Sequence, residues 1–190
     1  MATTKVDIGL IDASGTASSG TFLRGDGAWQ AAGGGKVLQV VTATDATLVS
    51  TTSTSFVTSG LTASITPAAT ANKILVMTSQ VFRSTKTTGS SASTVAAGHA
   101  ALMRGAYDGT QLTEHFFSVV DTPSNTATGI NVSHTTAMIW LDSPSTTSSQ
   151  AYTVAMKSLS TNWTLRVNED YDSTGGLDAG SIVLMEIDGS

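Results

Sequence analysis

Past Gly35 no window of this chain carries apolar residues at i, i+3, i+4 and i+7 between helix caps. The apolar residues alternate or run unbroken over short spans, which is the signature of strands. Nine such runs are legible: Lys36–Thr42, Ser55–Thr66, Lys73–Arg83, Ala97–Arg104, Gln111–Val120, Gly129–Leu141, Ala151–Lys157, Trp163–Asn168 and Ser181–Ile187. Gly60 inside the second predicts a bulge, and Asp108-Gly109 between the fourth and fifth predicts a hairpin. The third is apolar on nearly both sides, as a central strand is. Ser, Thr, Gly and Asn fill the connections, and no repeat of solenoid period occurs. The expected fold is an all-β, antiparallel, jelly-roll-like sandwich over residues 36–190. Roughly 150 residues are enough to bury ~70% of their unfolded surface.

Residues 1–35 read differently. Lys5–Ile11 alternates Val6, Ile8 and Leu10 to one side, a short strand with an apolar edge. Gly15–Gln30 is small and turn-forming, yet it carries Phe22, Leu23 and Trp29. So short a segment cannot bury these by itself, so it packs on something else or on copies of itself. Arg24-Gly25-Asp26-Gly27 reads as a tight turn, and Gly33–Gly35 as a joint before the sandwich.

The run Ser19-Gly20-Thr21-Phe22-Leu23-Arg24-Gly25-Asp26-Gly27-Ala28-Trp29-Gln30 resembles a segment recurrent in tail-fibre and related fibre proteins of tailed bacteriophages. There it joins a thin N-terminal part to a C-terminal β-domain. Ile65-Thr66-Pro67 leading to Lys73–Met77, Leu141-Asp142-Ser143-Pro144 and the closing Val183–Ile187 are similar to the C-terminal domains of marine-phage fibres. The resemblance implies a homotrimeric structural fibre protein, made in a bacterial cytoplasm and destined for the virion. Residues 1–35 would attach it to other virion proteins, and a host-surface glycan or protein is the candidate outer ligand. A head fibre or capsid decoration without a receptor role is one alternative. A carbohydrate-binding or carbohydrate-cleaving sandwich is the reading from another class.

Other chemistry finds little purchase. The formal charge is −5 with no basic stripe, which disfavours nucleic acid. There is no cysteine, and no apolar window approaches the ~20 residues of a membrane helix. No nucleophile elbow accompanies His99, His115 or His134, which fall inside strand patterns. Asp170, Asp172 and Thr174 have calcium-loop spacing, but Ser181 stands where the bidentate Glu belongs. No enzyme activity, cofactor or metal is therefore expected. Trp163 beside Asn162 is a candidate sugar-stacking aromatic, with a core role the stronger reading.

Strand parity distributes the connections. It assigns Ala43–Thr54, Ser84–Ala96, Asp121–Thr128 and Ser160–Asn162 to the end away from residues 1–35. The other end takes Pro67–Asn72, Gly105–Thr110, Asp142–Gln150 and Glu169–Gly180. Lys86, Asp121, Asn125 and Asn162 are the best-placed receptor-contact groups of the outer set.

Overall fold

The computed structural model describes residues 14–18, 20–31, 36–86, 95–120, 131–169 and 178–189. The chain divides into two units, Met1–Gly35 and Lys36–Ser190. In the first, β1 (Thr21–Leu23) and β2 (Trp29–Ala31) form a two-stranded antiparallel hairpin. The second begins with β3 (Val37–Asp45), β4 (Val49–Thr51), β5 (Val57–Ile65), β6 (Lys73–Lys86) and β7 (Val95–Arg104). It continues with β8 (Thr110–Val120), β9 (Asn131–Asp142), β10 (Gln150–Ser158), β11 (Trp163–Val167) and β12 (Gly180–Ile187).

These ten strands make two antiparallel sheets. One has the order β5-β10-β7-β8. The other is organised on β6, whose full length pairs with β9 along one edge. Its opposite edge is shared: residues 73–79 pair with β12, and 82–86 with β11. Beyond these lie β3 on β12 and β4 on β11. Each of the nine predicted runs contains a strand, Gly129 and Ile130 of the sixth lying outside the described residues, and Gly60 sits in β5 at a register shift with φ +93°. A Cβ at Gly60 would press on the Asp45 carboxylate, and the positive φ favours glycine there whatever the space.

One part of the parity assignment is corrected. β11 and β12 both run antiparallel to β6 on the same edge, and hence in the same direction. Glu169–Gly180 therefore leaves from midway along the sheet, not from the end near Lys36. The segment Ala43–Thr54 is not one end loop either, because β3 reaches Asp45 and β4 continues along the sheet. Asn168 fixes this internal break. Its φ is +59°, and its side-chain amide donates to the Thr47 carbonyl at 2.9 Å.

The core lies between the sheets. Alternate residues supply it: Leu61, Ala63 and Ile65 from β5, Ile74, Val76 and Phe82 from β6, Tyr152, Val154 and Met156 from β10, Ile182 and Leu184 from β12. Burying one such aliphatic side chain stabilises the fold by about 1.5–3 kcal/mol. Trp163 is fully buried, which settles its role as core and removes the sugar-stacking reading. Two polar clasps close the sandwich. Arg104 of β7 pairs with Asp142 of β9 at 3.2 Å, and the Tyr152 hydroxyl donates to the same carboxylate at 2.8 Å. Burial pushes the Tyr152 hydroxyl far up, and the Asp142 charge pushes it further. Glu186 is the second clasp. Buried among neutral donors, it accepts from Gln39, from the Ala68 amide at 2.6 Å and from the Asn72 side chain.

Candidate functional surfaces

The hairpin is built by its turn. Arg24 donates its N–H to the Ala28 carbonyl at 2.9 Å, and Gly27, at φ +80°, donates to the Arg24 carbonyl at 3.0 Å. The Asp26 carboxylate accepts from the Ala28 N–H at 3.2 Å. Ser14 is laid alongside, receiving the Trp29 N–H at 2.8 Å in a parallel bridge to Ala28. Arg24 bonds the Gln30 side chain and approaches Asp26 at 3.6 Å. The Arg-Gly-Asp triplet is thus spent on its own turn. Leu23 pairs across the hairpin with Trp29. Phe22 is 49% exposed and Leu23 is exposed too, while Trp29 is partly covered. Val6, Ile8 and Leu10 lie outside the described residues.

The sandwich has two outer faces of opposite character. On the six-stranded sheet, register aligns Val40, Met185, Leu75 and Leu141 in one row and Thr42, Val183, Met77 and Ile139 in the next. Inward neighbours such as Ile74, Val76, Leu184 and Met138 fill the core, so these rows point outward. Ile139 is 67% exposed, Val40 52% and Leu141 50%. Further along the same strands the rows become polar: Thr44, Ser181, Ser79 and Ala137.

The four-stranded sheet presents a charged network. Glu114 of β8 takes the Lys157 ammonium at 3.1 Å and His99 on one carboxylate oxygen, and the Gln111 amide at 2.9 Å on the other. Burial pushes the Glu114 carboxyl up, but the hydrogen bonds from Lys157 and Gln111 and the nearby positive charge hold it below its ordinary value. The His99 ring packs on Phe116 at 4.9 Å, and Lys157 lies 4.1 Å over the Phe56 ring. Phe56 in turn covers a small apolar cluster of Ala101, Met103 and Ala155. Sequence reasoning did not find this network, because residues 99, 114 and 157 meet only through the strand order β10-β7-β8. His115 and His134 lie apart from it, on β8 and β9.

Two of the four receptor-contact candidates can be placed. Lys86 closes β6, and its backbone pairs with Trp163, the residue after Asn162. The two positions therefore share one end of the sandwich, where β8 also ends and β9 begins. Asp121 and Asn125 lie outside the described residues, as do Gly33–Gly35, Asp170, Asp172 and Thr174. Among the described residues, no group of three or more His, Cys, Asp or Glu is placed to hold a metal ion. The acid Glu169 is committed to Arg83 at 3.3 Å and Arg166 at 3.0 Å.

No protein-family model and no curated protein matches the chain. Solved structures similar to it include the T=1 particle derived from infectious bursal disease virus, at 16% identity over 79% of this chain and 36% of that one, with a TM-score of 0.31. The VP2 subviral particle of the same virus gives 15% identity over 78% and 38%, with a TM-score of 0.32. This chain spans little more than a third of those chains. A likeness this distant leaves function to be argued from the chain's own surfaces.

Proposed function

We propose that this chain is a structural fibre protein of a bacteriophage virion, assembled as a homotrimer and attached through residues 1–35. The observation that carries the reading is the hairpin. The stretch that resembles the phage-fibre junction folds so that its polar side chains serve the turn, while Phe22 and Leu23 are left exposed for a protein partner. Trp29, together with Val6, Ile8 and Leu10, completes the attachment set. The sandwich is then the outer body. Its end bearing Lys86 and Asn162, with Asp121 and Asn125 on the connection between β8 and β9, is the surface offered to a host glycan or protein.

The test is incorporation. Phage assembled with Phe22→Ser/Leu23→Ser protein should carry at least ten-fold less of it per particle, by quantitative blotting of purified virions. Undiminished incorporation would refute the attachment role. With incorporation intact, Lys86→Ala/Asn162→Ala should slow adsorption to host cells. Unchanged adsorption would make the protein a decoration without a receptor role.

A further inference from the structure

We infer that the apolar outer face of the six-stranded sheet is where copies of this chain hold one another, three faces closing round a three-fold axis. The number of copies rests on the trimeric reading above; the location rests on the face itself. The strands β6, β9 and β12 are apolar at successive positions, the pattern of strands covered on both sides. Among the described residues only the inner side is covered.

The exposed fractions of Val37, Val40, Ile139 and Leu141, with the part-exposed Leu75, Met77, Met185 and Val183, amount to an apolar patch on the order of 500 Å². Patches on monomers seldom exceed a few hundred Å², while a stable pair buries about 800 Å² per partner. The face is therefore at the upper end of what monomers expose, and it can supply a large part of an interface.

Chemistry selects the occupant. Along the half of β6 that pairs with β12, Lys73 at the margin is the charged residue that register places outward, and the facing positions of β12 and β9 carry none. Arg83, with Arg166 and Glu169, lies further along, on the half that pairs with β11. A glycan would need donors and acceptors that these rows lack, and an acidic or basic partner would find no counter-charge. A second copy of the same apolar rows meets neither obstacle. Position agrees with this. The apolar rows lie at the end where β3 begins at Val37, so copies joined there bring their entering chains together.

The test uses the full chain. Light scattering at micromolar concentration should give three times the 19.4 kDa chain mass. Ile139→Glu, and the milder Ile139→Ser/Leu141→Ser, should lower the mass three-fold while keeping the far-ultraviolet dichroism and a cooperative melt. Ser64→Glu, on the opposite outer face, should leave the mass unchanged. Because the chain has no cysteine, Ile139→Cys and Ser64→Cys report accessibility directly. Maleimide should label position 139 at least ten-fold more slowly.

A monomeric wild type, equal labelling of both cysteines, or a mass that falls only with Phe22→Ser/Leu23→Ser would overturn the inference. So would slow labelling of position 139 in a monomer, which would mean that residues 1–35 of the same chain cover the face. Assembly through this face in a protein that never enters a virion would sink the fibre reading and leave the inference standing. Virion incorporation with a mass indifferent to Ile139→Glu would do the reverse.

Discussion

The two outer faces of the sandwich are made from the same kind of strand and follow opposite rules. The four-stranded sheet behaves as an antiparallel sheet with one wet side: core residues alternate with Thr58, Thr62, Ser64, Lys157 and Glu114. Where Ala101, Met103 and Ala155 point outward, Phe56 covers them and the Lys157 ammonium lies over its ring, while Phe116 stays exposed beside His99. The six-stranded sheet keeps apolar side chains on both sides and covers one. A single chain thus carries a finished surface and an unfinished one, and the difference lies in side-chain choice at alternate positions, not in backbone architecture.

Two carboxylates sharpen the comparison, one serving each sheet. Glu186 is buried beneath the apolar face, and of its three donors Gln39 also reaches the Thr66 carbonyl at 2.7 Å, while Ala68 and Asn72 depend on the carboxylate. Glu186→Ala should cost about 3 kcal/mol, because the buried Ala68 amide and Asn72 side chain would lose their acceptor. Denaturant unfolding checks this, and a loss below about 1 kcal/mol would show that water replaces the carboxylate.

A second effect follows from pH. Burial raises the Glu186 carboxyl, but the hydrogen bonds from Asn72, Gln39 and Ala68 outweigh it and hold the group below its ordinary value of 4.5. A carboxyl lowered in the folded state stabilises the fold above its unfolded pKa and loses that contribution as pH falls through the folded one. Melting temperature should therefore decline as pH drops below about 4.5, and the Glu186→Gln variant should decline less steeply. Parallel profiles for the two proteins would refute the assignment.

Removing the cover from the finished face should matter less. Phe56→Ala exposes Met103 and Ala155, and as a part-buried aromatic it should cost about 1–2 kcal/mol. The smallest effect belongs to the network itself. Glu114→Gln should change stability by less than about 1 kcal/mol, and 1 M salt should erase most of the difference. A cost near that of Glu186→Ala would show that the two outer faces are not so different.

Much of this was legible from the residues. Alternation gave the nine strands, Asp108-Gly109 marked the β7–β8 hairpin, and Arg24–Gly27 marked the turn between β1 and β2, whose strands left no signal. Other features were not. Val49–Thr51 is too short to show a period. The shared direction of β11 and β12 defeats parity, because a chain that leaves a sheet midway and rejoins the same edge leaves no trace in local propensity. The unbroken apolar run of β6 was read as central, and β6 is central within its sheet. Periodicity reports that both sides are apolar and is silent on what covers each. Trp163 illustrates the same limit: a polar neighbour at Asn162 says nothing about which way the next side chain points.

The pairing of β3 with β12 has a consequence for synthesis. Val40 cannot find its neighbour Met185 until about 150 further residues have been made, which at ribosomal rates takes on the order of 10–30 seconds. During that time β3 is an unpaired strand and the greasy rows do not exist as a surface. On the assembly inferred above, copies growing side by side on one message would meet through this face only after each had completed its own sheet.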